Sequence, residues 1–288
     1  SLRDGADAFD QLLAGEPLAA RPRLDPDAVI QLLYTSGTTG EPKGVMHTSN
    51  TLMSNLGPYR ERLHLTADDT VFMASPLAHQ TGFMYGLMMP IMLRASAVLQ
   101  DTWEPVRASE LIRAEGCSFT MASTPFLADL SRVVAETRQG VPTLKTFLCA
   151  GAPIPGPLVE QARQVLGTKI VSAWGMTENG AVTLIDLDDP DERAATTDGH
   201  ALPGVEVRVV DDAGRELPRQ QVGRLVVRAC SPRWGAAPRR AALPSAAATL
   251  NAQHRCAAHP NGSLRSCTLC RTPPLPSVDP SVRAGTRK

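Results

Sequence analysis

Ala28-Val29-Ile30-Gln31-Leu32-Leu33-Tyr34 runs directly into Thr35-Ser36-Gly37-Thr38-Thr39-Gly40-Glu41-Pro42-Lys43-Gly44. The first seven residues form an apolar run of strand length and predict a buried strand. The ten that follow have the opposite character. Glycines let the backbone turn sharply and bare its N–H groups, hydroxyls add donors, and Lys43 supplies a point charge, which together suit a polyphosphate cradle. The P-loop of NTPases is excluded, because that pattern needs Ser or Thr directly after the lysine and Gly44 stands there. On composition alone the same loop also reads as a plain flexible turn.

Downstream the alternation repeats. Strand-length apolar runs at 70–74, 97–100, 119–121, 146–149 and 169–173 are separated by helical patterns at 48–63, 105–114, 125–137 and 156–166. Strand then helix, repeated, predicts an α/β fold of layered parallel sheets covered by helices. After Ala201 the pattern changes: 205–211, a Asp-Asp-Ala-Gly turn at 211–214 and 223–228 read as antiparallel hairpins of a small β subdomain. The expected organisation is a partial lead-in (1–24), an α/β core (25–200), a partial β subdomain (201–230) and a tail (231–288).

The 288 residues carry 29 Lys plus Arg against 29 Asp plus Glu, so bulk charge offers no footprint for nucleic acid or an anionic surface. The balance hides two populations. Residues 231–288 hold nine basic residues and one acidic one, Asp279, with eleven Ala, eight Pro and no Phe, Ile, Met or Tyr. Such a segment lacks the large apolar side chains that offset ordering entropy, and we expect it to be disordered. Its Arg, Ala, Pro and Ser bias is what a GC-rich gene read in a shifted frame would give, a natural low-complexity linker being the alternative. Cys256-x-x-His259 and Cys267-x-x-Cys270, with His254, have ligand-like spacings, but nothing apolar flanks them and no zinc site is expected. The apolar run 82–93 is too short to span a bilayer, so no integral membrane segment is expected. The chain opens on Ser1 with an acidic amphipathic stretch and shows no signal-peptide pattern. Six cysteines, several inside apolar runs, fit reduced thiols in a cytoplasmic protein.

Four further blocks follow the loop in order. Pro76-Leu77-Ala78-His79 precedes the apolar run, Gly151-Ala152-Pro153 follows the strand ending at Cys149, Ser172-Ala173-Trp174-Gly175-Met176-Thr177-Glu178 follows the next strand, and 199–204 with 223–228 lie in the β region. Taken alone, Thr177-Glu178 is a helix start, Gly151 to Pro153 an ordinary turn and His79 a structural histidine. Together with the ten-residue loop, the set resembles the AMP-forming adenylating enzymes, which include acyl-CoA synthetases, luciferase and peptide-synthetase adenylation domains. The resemblance covers about 25–230 and is nearest in feel to medium-chain or cyclohexanecarboxylate-CoA ligases, on the string 119–130 and the Trp-Gly-Met-Thr-Glu variant. Arg224 stands where such proteins usually have Glu, and Ala229 where Gly is common.

What the resemblance implies is a two-step ligase using ATP, Mg²⁺ and coenzyme A on a small-molecule carboxylic acid. Thr35, Ser36, Gly37, Thr38, Thr39, Gly40 and Lys43 would hold the β and γ phosphates. Gly151, Ala152 and Pro153 would line the adenine face, with Trp174, Gly175 and Met176 beside it. Thr177 would touch the α-phosphate, Glu178 would hold the metal, and His79 would lie near the acyl carboxylate. A peptide-synthetase type domain needs an acid for the substrate ammonium just after His79, where this chain has Gln80 to Gly86 without one; an inactive nucleotide-binding remnant is the third reading. Phe83, Met84, Leu87 and Met88 are expected to line an apolar acyl pocket. The resemblance also implies a Thr-Gly-Asp string and a catalytic lysine after the β subdomain. No such string follows residue 230, the only lysine there is Lys288, and little chain precedes the loop. The 288-residue chain is therefore expected to be an impaired ligase, of oligomeric state not legible in the sequence.

Overall fold

A computed structural model describes residues 23–35, 43–218 and 221–229. The expectations for the lead-in, the tail and its Cys/His spacings fall outside those residues.

In chain order the described elements begin with β1 (Val29–Thr35), β2 (Lys43–Thr48), α1 (Ser49–Arg62) and β3 (Thr70–Met73). A π-helical segment (Gly82–Met88) runs into α2 (Met89–Leu93), and β4 (Ser96–Leu99), α3 (Pro105–Ala114), β5 (Phe119–Ala122) and α4 (Thr124–Thr137) follow. Next come β6 (Thr146–Ala150), α5 (Gly156–Leu166), β7 (Lys169–Met176), β8 (Gly180–Leu184), α6 (Arg193–Thr196), β9 (His200–Ala201), β10 (Glu206–Val210) and β11 (Arg224–Arg228). Seven strands form the main sheet in the order β4-β3-β5-β6-β7-β8-β9, parallel from β4 to β7 and antiparallel at β8 and β9. The fold is α/β with small antiparallel sheets, as the alternation of patterns predicts.

The sheet is covered on both faces, which is why its inner strands read as unbroken apolar runs. Alternation along β5 shows this. Phe119 meets Tyr59 of α1 edge-on and Met121 Sδ accepts from the Tyr59 hydroxyl at 3.3 Å. Thr120 and Ala122, pointing the other way, meet Ile112 of α3 and Phe126 and Leu130 of α4 around a void of about 10 Å³. The π-helical segment lies close against the sheet because its glycines let it: a Cβ on Gly86 would stand 2.4 Å from Met73 Cγ.

Two sequence expectations change. The 28–34 run is not a buried strand of the parallel sheet; β1 pairs antiparallel with β2 in a separate two-stranded sheet, with Ile30, Leu32 and Tyr34 exposed. Seven residues between β1 and β2 suffice for a hairpin return, whereas a parallel crossover needs a dozen or more. The helix expected at 48–63 keeps its extent, but Thr48 is its N-cap: its Oγ1 accepts from Thr51 N–H, and Thr51 Oγ1 accepts from Thr48 N–H. β10 and β11 form the expected antiparallel pair, while the 211–214 turn, with Gly214 at φ +80°, folds Glu216 back against Val210. Among the described residues, no helix is long and apolar enough to cross a membrane.

Candidate active site

A cavity of about 700 Å³ opens at the carboxyl ends of the parallel strands. Ser75 and Pro76 after β3, Ala122 and Ser123 at β5, Ala150 and Gly151 at β6, and Ala173 to Glu178 at β7 each contribute to its wall. That is where open α/β sheets bind ligands, because the chain diverges there into loops and frees backbone groups.

Of the residues singled out in the sequence, Thr35, His79, Gly151, Trp174, Gly175, Met176, Thr177 and Glu178 line this one cavity. Thr35 enters from the end of β1 and is the register partner of Lys43, so both flanks of the glycine loop are fixed. Ser36, Gly37, Thr38, Thr39 and Gly40 lie outside the described residues. Lys43 is exposed at the start of β2, and Ala152 and Pro153 are exposed beyond Gly151; none of the three is in the described lining. His79 is exposed at the rim, its Nδ1 accepting from Thr81 N–H at 3.2 Å.

The segment after His79 departs from expectation. Phe83, Met84, Leu87 and Met88 do not line the cavity; Met84 lies in the core, with Phe83 and Met88 packed against it. The π-helical winding turns Tyr85 inward instead, and the apolar wall is completed by Met121, Ala122, Phe126, Ala150 and Ala173.

The β7–β8 hairpin that carries Trp174 to Glu178 is held from behind by Asn55 of α1. Asn55 Nδ2 donates to the carbonyls of Asn179 at 3.0 Å and Ala181 at 2.7 Å, and its Oδ1 accepts from Tyr85 Oη–H at 2.8 Å. Gly175 allows the two strands to close: a Cβ there would stand 2.2 Å from the Gly180 carbonyl oxygen. Two residues that sequence reasoning missed complete the arrangement. His47 of β2, 2% exposed, brings its Nε2 to 2.8 Å from the Thr177 carbonyl oxygen and 3.3 Å from Gln80 Nε2. Burial lowers the His47 pKa below the usual imidazole value, against the opposing pull of the Thr177 carbonyl and Glu178, so the ring is neutral near pH 7. Burial likewise pushes the Cys117 and Cys149 thiols up to about 11.

Thr177 and Glu178 offer a hydroxyl and a carboxylate at the cavity wall, the hard oxygen donors that magnesium takes alongside phosphate oxygens. Asp186, Asp189 and His200 also cluster, but they are not among the residues lining the cavity, and Asp186 is held by Arg62 Nε at 2.9 Å while Asp189 accepts from Asp186 N–H.

A sequence model of AMP-binding enzymes matches residues 3–232. The chain belongs to the AMP-binding enzyme family. It is 39% identical over 192 residues to a medium-chain fatty-acid–CoA ligase of Escherichia coli (strain K12), covering 67% of this chain and 34% of that one. A medium-chain-fatty-acid–CoA ligase of Ectopseudomonas oleovorans is 29% identical, with 78% and 44% covered. Among solved structures, ATP-bound MatB from Rhodopseudomonas palustris superposes with a TM-score of 0.68 at 26% identity, covering 80% of this chain and 49% of that one. O-succinylbenzoate coenzyme A synthetase (MenE) from Bacillus subtilis, in complex with ATP and magnesium, gives 0.68 at 25% identity, with 77% and 46% covered. The chain thus spans less than half the length of each of these relatives.

Proposed function

We propose that the protein this chain represents is an ATP-dependent, AMP-forming acyl-CoA ligase acting on an apolar carboxylic acid. The convergence of Thr35, His79 and Trp174 to Glu178 on one cavity at the strand ends carries the reading. A carboxylate oxygen of the acid attacks the α-phosphorus of ATP, the bond to the bridging oxygen breaks, and pyrophosphate leaves. The coenzyme A thiolate then attacks the acyl carbonyl carbon, and AMP departs with the bonding pair of the mixed anhydride.

Each wall has a task in that scheme. On this reading the Trp174–Gly175–Met176 strand end and Gly151, which line the cavity together, take the adenine. Thr177 presents its hydroxyl to the α-phosphate, and Thr35 marks where the glycine loop with Ser36 to Gly40 and Lys43 takes the outer phosphates. Glu178 would hold magnesium, which supplies neutralisation of phosphate charge. His79 at the rim stands by the carboxylate. Met121, Ala122 and Phe126 offer apolar surface to the acyl group, and no acid between Gln80 and Gly86 awaits an ammonium, which favours an acyl over an aminoacyl substrate.

The 288-residue chain itself should be a poor ligase. Beyond residue 230 it has one acid, Asp279, and one lysine, Lys288, so neither a ribose-binding Thr-Gly-Asp string nor an internal lysine is present there. Loss of a single transition-state charge partner costs on the order of 10²- to 10³-fold. Pyrophosphate exchange and thioester formation by the purified chain test this: measurable AMP binding with slow or no turnover of hexanoate or cyclohexanecarboxylate is expected. Rapid acyl-CoA formation would refute the impairment, and turnover of a free amino acid would refute the substrate class.

A further inference from the structure

Phe126 stands between two spaces. It lines the open cavity at the strand ends and also the void of about 10 Å³ enclosed by the sheet, α3 and α4. Among the described residues the two linings share only Ala122 and Phe126, and Ala122 contributes no more than a methyl group. The partition is therefore the Phe126 ring. Beyond it the void is walled by Phe72, Trp103, Ile112, Leu130 and Phe147, and the one hydroxyl there, on Thr120, already donates to the Phe72 carbonyl at 2.8 Å. A water needs two or more polar partners and finds none to spare in such a space, whereas methylene groups suit it. The ring is also braced on the side of the void. Phe126 and Asp129 lie one turn apart on α4, and both hold Trp103: the two rings have centroids 4.5 Å apart at 50°, and the indole N–H donates to Asp129 Oδ2 at 3.0 Å. A side chain clamped in this way makes a fixed floor to the cavity.

We propose that Phe126 limits the length of the acid: the far end of the substrate's hydrocarbon chain stops against its ring, and the apolar void beyond stays out of reach while the ring is in place. Removing the ring would join the void to the cavity and let a longer acid continue between Trp103 and Leu130. The inference rests on the acyl-CoA ligase reading above and adds the upper size of the acid to it.

Calorimetric titration of the 288-residue chain with AMP, 5′-sulfamoyladenosine and a series of acyl-sulfamoyladenosines from acetyl to tetradecanoyl tests it, each acyl probe carrying its chain where the adenylate does. In wild type, affinity should rise about 4-fold per methylene buried and stop rising at one limiting length. Phe126→Ala should carry the rise further, so that a probe about two carbons past the wild-type limit gains on the order of 10-fold while AMP stays within about 2-fold. Phe126→Leu, which leaves a smaller apolar side chain, should carry it on by less. Ile112→Val enlarges the void without opening the partition and should keep the wild-type limit. If Phe126→Ala fails to fold by circular dichroism, Phe126→Leu decides the matter. An unchanged limit in the Phe126 variants, the same shift in Ile112→Val, or a wild type without any limit overturns the inference alone. Wild type that binds no acyl probe more tightly than 5′-sulfamoyladenosine, or that binds none of these ligands, overturns the function reading, and the inference with it.

Discussion

Replacing Asn55 by leucine keeps the number and branching of side-chain heavy atoms and removes a three-way anchor. The two carbonyls of Asn179 and Ala181 lose their donor, and the Tyr85 hydroxyl loses its acceptor while still receiving the Ala181 N–H at 2.8 Å. All of this happens in the interior, with Asn55 8% and Tyr85 2% exposed. Each buried group left unpaired costs about 1–3 kcal/mol. Rotation of the hydroxyl and added apolar contact recover part of it, leaving a net loss of about 3–4 kcal/mol, in the upper range for single substitutions. In a folded unit of this size, each kcal/mol moves Tm by about 2–4 °C, so a drop on the order of 10 °C is expected. Thermal melts of wild type and variant, followed by far-ultraviolet circular dichroism at pH 7.5, measure it. A shift of less than about 3 °C would refute the argument, because it would mean that the hairpin behind the cavity is held by something other than Asn55.

Three further outcomes follow from the same geometry. Gly175→Ala places a Cβ against the Gly180 carbonyl and should cost about 2 kcal/mol or more by forcing β7 and β8 apart, while Gly140→Ala, with nothing within 4 Å of its Cβ, should melt like wild type; equal melting of the two variants would contradict this. With pKa values of about 11, Cys117 and Cys149 should alkylate with iodoacetamide at pH 8 on the order of 10²-fold more slowly in the native chain than in urea, read peptide by peptide by mass spectrometry. Equal rates would show the thiols to be accessible. His47 is held neutral in the folded chain, so the unfolded chain binds its proton first: its contribution to stability is complete above about pH 6.5, the ordinary imidazole value, and declines as pH falls below it. The urea midpoint should fall between pH 7.5 and 5.5, and His47→Gln should flatten that fall; an unchanged pH dependence in the variant would remove His47 as its source.

Much of the sheet was legible because its strands are short, continuously apolar and punctuated by helical periodicity; α3 and α5 begin and end where the pattern places them. The failures share a cause. β2 reads Lys-Gly-Val-Met-His-Thr, without alternation or an apolar run, and becomes a strand through its pairing with β1. The π-helical segment could not be told from any other apolar stretch, and along it Tyr85, rather than Phe83, Met84, Leu87 or Met88, reaches the cavity. Motif order found Trp174 to Glu178 and His79. It could not find His47, whose partner carbonyl lies 130 positions downstream. Nor could it find Gln80, whose contact with His47 spans 33 positions.

Helix α1 and the strand before it meet their polar partners at long range: Thr177 for His47, Asn179 and Ala181 for Asn55, and Leu184 and Ala201 for Arg62, at separations of 122 to 139 residues. Closing loops of that length is entropically dear and slow, so these contacts belong to the late part of folding. A half-folded chain has no cleft to offer. A nucleotide or adenylate taken up there acts on the native state alone and adds stability by mass action, about 2.7 kcal/mol at a hundredfold excess over Kd. Contacts made after the folding barrier show themselves in the unfolding rate. The chain's lifetime among proteases would then be set by how much ligand the cell contains.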